Sequence, residues 1–83
     1  MRIQVLFFAA YREIVGSRAV SWSTREGLTL EELVDHVLAR YPGLAGHRGS
    51  MLLAVNHAVV DANRILKEGD EVALLPPVSG GAP

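Results

Sequence analysis

The side chains here that could do chemistry are three histidines, nine carboxylates and a scatter of serines, with no cysteine among them. The lack of cysteine removes thiolate nucleophiles, disulfides and Cys-built zinc or iron–sulfur sites together. A nucleophile would have to be Ser, Thr, Lys or a carboxylate with a base beside it. Ser17, Ser21, Ser23, Ser50 and Ser79 occupy turns, a strand and the tail, and none lies in a G-x-S-x-G elbow. His36, His47 and His57 fall at no metal-ligand spacing. His36 lies on the polar side of a helical stripe, where a histidine is far more often solvated than ligating. Glu31, Glu32 and Asp35 suit the first turns of a helix, where carboxylates complement the dipole. Glu68-Gly69-Asp70-Glu71 is acidic turn chemistry. As a self-contained active site the chain offers nothing, so no metal and no tightly bound cofactor is expected.

The end of the chain is of another kind: Pro76-Pro77-Val78-Ser79-Gly80-Gly81-Ala82-Pro83. Each proline ring fixes φ and pushes the residue before it out of the helical region, so the pair predicts a stiff, extended stalk. Ser79-Gly80-Gly81 then carries almost no side-chain bulk. Such a thread suits a narrow tunnel on another protein, where only backbone passes. Gly80-Gly81 precedes no helix, so it is not a phosphate-cradling loop. The bland reading is a frayed terminus, which glycine-rich ends usually are. What lies upstream decides between the two.

At 83 residues the chain can bury one modest core. It is 49% hydrophobic and 20% charged, the balance of a globular domain rather than a disordered tail. A net charge of −1 leaves no broad basic surface for a nucleic-acid backbone. The apolar opening, Met1 to Ala10, is too short to span a bilayer, and its alternating start resembles a strand more than a signal peptide. No membrane association is expected, and the cytoplasm is the default location.

Ile3 to Phe8 is dense in apolar, strand-forming residues, and Ala19 to Ser23 alternates with period two. Tyr11 to Gly16 reads as a turn or single helical turn closed by glycine. Leu30, Leu33, Val34, Val37, Leu38 and Tyr41 form one stripe of a helix. Thr29 with Glu32 makes a capping box, Leu28 with Leu33 a hydrophobic staple, and Pro42-Gly43 a stop. Gly43 to Gly49 reads as a loop. Met51 to Val55 and Ala58 to Val60 read as strands about an Asn56-His57 turn, Asn tolerating φ > 0. Asp61 to Leu66 reads as irregular with room for a helical turn, and Glu71 to Leu75 as the last strand. The order β, β, α, β, β, β gives an α+β fold, with one helix on one face of a mixed sheet. A β-grasp arrangement fits, with first and last strands as central, parallel neighbours. The expected organisation is a β-grasp domain over residues 1–75 and an extended tail over 76–83.

One helix covers one sheet face. On the first strand Ile3, Val5 and Phe7 share a face and Gln4, Leu6 and Phe8 the other; on the last, Val72 and Leu74 alternate with Glu71, Ala73 and Leu75. The uncovered face should be polar, yet it carries Leu6, Phe8 and Leu75, with Val59 a candidate to join them. An apolar patch at the root of a bare tail suggests a protein partner. Partial cover by loops, or isolated exposed apolar residues, is the competing reading.

Taken together, "VLFFAAYREIVG", "TLEEL", "AVNHAVVD", "LKEGDEVALLPP" and "PPVSGG" resemble the ubiquitin-like sulfur carriers, in particular the small subunits of molybdopterin synthase. Thiazole-synthesis carriers share the fold and the Gly-Gly end but are usually shorter and lack the Pro-Pro-Val-Ser lead. The resemblance implies that an ATP-dependent activating enzyme adenylates the carboxylate of Gly81 and that a sulfur donor converts the acyl-adenylate to a thiocarboxylate. The tail, Pro76, Pro77, Val78, Ser79 and Gly80, then enters the large catalytic subunit, in a heterotetramer, and delivers sulfur to cyclic pyranopterin monophosphate. It also implies a partner surface at Phe8, Val59 and Leu75. The chain itself would need no catalytic side chain, and ATP would belong to the activating enzyme. A ubiquitin-like carrier or conjugation module serving thiamine, cysteine or tRNA thiolation is the alternative. The family pattern stops at the second glycine, whereas Ala82-Pro83 follows here. With them attached, Gly81 carries an amide and cannot be adenylated. A processing protease that trims after Gly81, a variant that no longer carries sulfur, and a working end that differs from the written one would each account for this.

Overall fold

The computed structural model describes residues 1–77, so Val78 to Pro83, including the expected sulfur-bearing Gly81, lie outside the described residues. Five strands and two α-helices follow one another as β1 (Arg2–Phe7), α1 (Ala10–Val15), β2 (Ala19–Ser23), α2 (Leu30–Arg40), a 3-10 stretch (Pro42–Ser50), β3 (Leu52–Val55), β4 (Ala58–Val59) and β5 (Glu71–Leu75). The strands form one sheet in the order β2-β1-β5-β3-β4. β1 and β5 run parallel at its centre, and every other pairing is antiparallel. This is the β-grasp arrangement expected from the order of elements.

α2 starts where its sequence says it should. Thr29 is extended (φ −86°, ψ 162°), and its Oγ1 accepts from Glu32 N at 3.2 Å, while Glu32 Oε1 accepts from Thr29 N at 3.0 Å. The reciprocal bonds satisfy amides that a helix start otherwise leaves bare. The thiol-free core lies between α2 and one sheet face. Ile3, Val5 and Phe7 from β1 and Val72 and Leu74 from β5 meet Leu30, Leu33, Val34, Val37 and Leu38 of α2. Tyr11, Leu28, Leu44 and Leu66 close the edges of this core. Phe7 meets Tyr41 edge to face, with ring centroids 5.7 Å apart.

Two expectations are corrected. Residues 42–50, expected as a loop, wind as 3-10 turns with Leu44 fully buried, and Arg48 ties them to α2 through Asp35 at 2.6 Å. Asp61 to Leu66 contains no helical turn. Its carbonyls are engaged elsewhere: Ala62 O and Arg64 O accept from Glu31 N and Leu30 N, each at 2.8 Å, and Ile65 bridges Thr29. The segment makes one tight turn of its own, Arg64 N donating to Asp61 O at 3.0 Å, while the carbonyls of Ala62 and Arg64 go to α2 rather than to a helical turn. The strand limits also tighten, Met51 and Val60 falling just outside β3 and β4.

Candidate partner surface and tail root

Strand register decides which residues share the uncovered sheet face, because paired residues point the same way. β1 sets Leu6 against Ala73 of β5 and Ala19 of β2. β5 sets Ala73 against Ala54 and Leu75 against Leu52, and β3 sets Ala54 against Val59. Ile3, Val5, Phe7, Val72 and Leu74 face α2 and are buried. The opposite face therefore carries Leu6, Ala73, Ala54 and Val59 in one row across the strands, with Leu75 and Leu52 in the next.

Phe8 completes that second row although it lies one residue beyond β1. Its N–H donates to Leu74 O at 3.2 Å, which keeps it in step with β5. Its carbonyl accepts from Tyr11 N at 3.0 Å, closing a tight turn into α1. Ala9 inside that turn has φ 51° and ψ −125°, a conformation that ordinarily calls for glycine. The local strain turns the chain sharply and leaves Phe8 at the surface, 44% exposed. Val59 stands 77% exposed on the short edge strand β4, and Leu75 is half-buried beside Pro76.

The β4 edge is held to β5 by polar groups. Asn56 and His57 both have positive φ, 51° and 72°, as a two-residue hairpin turn requires. Asn56 Nδ2 donates to Asp70 Oδ1 at 2.9 Å, and Glu71 N donates to Asn56 Oδ1 at 3.0 Å. Asp70, the one buried charged residue among those described, uses its other oxygen to accept from Lys67 N at 2.8 Å. The clamp pins the hairpin carrying Val59 to the start of the strand that ends in Leu75.

The expected partner residues Phe8, Val59 and Leu75 thus lie on one face, and Pro76 and Pro77 leave from its rim. Val78, Ser79, Gly80 and Gly81 lie outside the described residues. Leu52 was missing from the sequence reading. It is 41% exposed and is paired with Leu75. In a run as uniformly apolar as Met51 to Val55, only register separates the outward Leu52 from the inward Leu53.

The titratable side chains form no centre. Among the described residues no group of three or more His, Cys, Asp or Glu could hold a metal. His36 is exposed, the His47 ring lies tilted against the Tyr11 ring with centroids 5.3 Å apart, and His57 lies 3.2 Å from Glu71 at the surface. Burial pushes the Tyr11 hydroxyl above its ordinary value, and that hydroxyl has no hydrogen-bond partner among the described residues. The hydrogen bond from Thr29 N holds the Glu32 carboxyl below the ordinary range, with help from Arg25 at 3.0 Å.

A family model described as the ThiS family matches residues 5–81, ending on Gly81. The chain belongs to the ThiS family. Among ThiS-family relatives, the molybdopterin synthase sulfur carrier subunit of Escherichia coli K12 is 43% identical over 81 residues, covering 95% of this chain and 99% of that protein. SAMP1 from Haloferax volcanii superposes with a TM-score of 0.84 at 28% identity, covering 98% of this chain and all of that one. A chain from the complex of subunits 1 and 2 of the molybdopterin-converting factor of Helicobacter pylori superposes with a TM-score of 0.72 at 32% identity, covering 98% and 100%. These likenesses run the length of the ThiS-family chain rather than touching one motif. No helix among the described residues is long and apolar enough to cross a membrane.

Proposed function

We propose that this protein is the sulfur carrier subunit of a molybdopterin synthase. The observation that carries the reading is the full-length likeness to relatives bearing that name, joined to an exposed apolar face at the root of "PPVSGG". In this reading an activating enzyme uses ATP to adenylate the Gly81 carboxylate, with pyrophosphate leaving. A sulfur donor then displaces AMP and leaves a thiocarboxylate. The face bearing Phe8, Val59 and Leu75 docks on the large catalytic subunit, completing a heterotetramer. Pro76, Pro77, Val78, Ser79 and Gly80 carry the thiocarboxylate to cyclic pyranopterin monophosphate. The work takes place in the cytoplasm, and ATP stays with the activating enzyme.

The same reading requires a processing step, because Gly81 is followed by Ala82-Pro83. A protease that hydrolyses the Gly81–Ala82 bond frees the carboxylate that the chemistry needs. The match of the family model to residues ending on Gly81 supports the position of the cut. Intact mass spectrometry tests the sequence of events. The protein from its native cells should end on Gly81, without Ala82-Pro83. With activating enzyme, ATP and a sulfur source it should then gain the mass of a sulfur-for-oxygen exchange. A tail that stays full-length and unmodified in those cells overturns the reading.

A further inference from the structure

The uncovered sheet face is not uniform. Toward the tail its rows are apolar: Phe8, Leu75 and Leu52, then Leu6, Ala73 and Val59. One register step further from the tail the same face turns polar, with Ser21 against Gln4, Gln4 against Glu71, and Asn56 bonded to Glu71. The boundary crosses β2, β1 and β5 at one level, between the rows of Ala73 and Glu71, and the turn residue Asn56 continues it beyond the end of β3. A face that served only to keep the protein in solution would be polar along its whole length.

We infer that the partner surface is the tail-ward half of this face alone, and that Leu52 belongs to it. This rests on the proposed function, and its occupant is the large catalytic subunit. Three features support the placement. Leu52 is directly opposite Leu75, whose chain continues into the tail, so a protein that receives the tail passes over both. Leu52 is 41% exposed, close to the 44% of Phe8 on the other side of Leu75, so these two residues flank the tail root from both sides. Apolar side chains at the centre of a patch, with a polar border on one side, match the core and rim of protein interfaces. Phe8 on the β1 side of β5 and Val59 on β4, two strands away on the other side, leave β3 between them open, and Leu52 fills that position beside the strand that delivers the tail.

The absence of cysteine makes a direct footprint available. Leu52→Cys, Phe8→Cys and Ser21→Cys each introduce one thiol, and its alkylation by iodoacetamide is timed with and without saturating large subunit. Protection of at least about tenfold at 52 and at 8, and under about twofold at 21, is the expected pattern, since a core contact excludes water and a residue outside the rim does not. Rapid alkylation at 52 in the complex, with 8 protected, overturns the inference and leaves the proposed function standing. Protection at 21 overturns the restriction to the tail-ward half. No protection at any position, with binding absent by calorimetry, overturns the proposed function as well. Protection of residue 52 without any large subunit, rising with protein concentration, assigns the face to a second copy and overturns the choice of occupant. If Leu52→Cys unfolds, Leu52→Lys serves instead: affinity for the large subunit should fall at least about tenfold with thermal unfolding unchanged.

Discussion

Val59 separates binding from folding more cleanly than any other side chain on the face. With 77% of its surface exposed, it has little burial to lose. Val59→Arg should shift thermal unfolding by under about 4 °C, the range of a surface change of about 0.5 kcal/mol in a domain this size. The same substitution puts a charge into the apolar contact, and affinity for the large subunit should fall at least about tenfold by calorimetry. Phe8 is a less clean probe, because its backbone amide and carbonyl also set the turn into α1. This part of the site was legible from alternation alone. Period two turns Phe8 and Leu75 away from the buried Phe7 and Leu74, and they meet because β1 and β5 are neighbours, but it cannot say which of two adjacent leucines, Leu52 or Leu53, faces out.

At the scale of elements, the β3–β4 hairpin and the start of α2 make opposite tests. Asn56→Ala removes the donor to buried Asp70 and places Ala at φ 51°. Leaving that carboxylate oxygen without its partner, with left-handed strain added, should cost about 2–4 kcal/mol in urea unfolding. His57→Gly at φ 72° relieves the same strain and should stabilise by about 0.5–1 kcal/mol, since Asn-Gly suits this turn best. At α2 the expected signal is pH dependence. The folded-state Glu32 carboxyl titrates below its unfolded value, so its contribution is complete above the unfolded pKa and is lost as pH falls through the folded one. A stability gap between the wild type and Glu32→Gln should therefore be present at neutral pH and close on acidification below the ordinary carboxylate range, as followed by circular dichroism. Thr29 and Glu32 announced α2 because a capping box is contained within four residues. The Asp61 to Leu66 segment announced nothing, because its conformation depends on amides of α2 some thirty residues away. The 3-10 winding of residues 42–50 was hidden for a related reason. Its glycines favour no one conformation, and Leu44 takes its place from the core it enters.

For the molecule as a whole, one core serves every element but the exposed edge strand β4. An 83-residue chain has a small margin of stability, and Leu33, fully buried in the middle of α2, lies near the centre of that core. Leu33→Ala should cost about 2–5 kcal/mol and lower the thermal midpoint by at least about 10 °C, with tail reactivity toward the activating enzyme falling only as the unfolded fraction grows. The sequence disclosed the architecture well, since a capped helix with two strands before it and three after it admits few arrangements. What it withheld was tertiary: the clamp at Asp70, and the line across the sheet where apolar gives way to polar.

The central position of β5 has a mechanical consequence. The strand is bonded along its length to β1 on one side and β3 on the other, and its end leads directly into Pro76. Ladder bonds lie across the strand axis, so tension applied through the prolines loads both ladders in shear, all bonds at once. A strand at the margin of the sheet, pulled outward, would peel one bond at a time. Under the proposed function, in which the tail passes from an activating enzyme to the large subunit, the carrier is anchored where traction is resisted best, and repeated withdrawal should leave the fold intact.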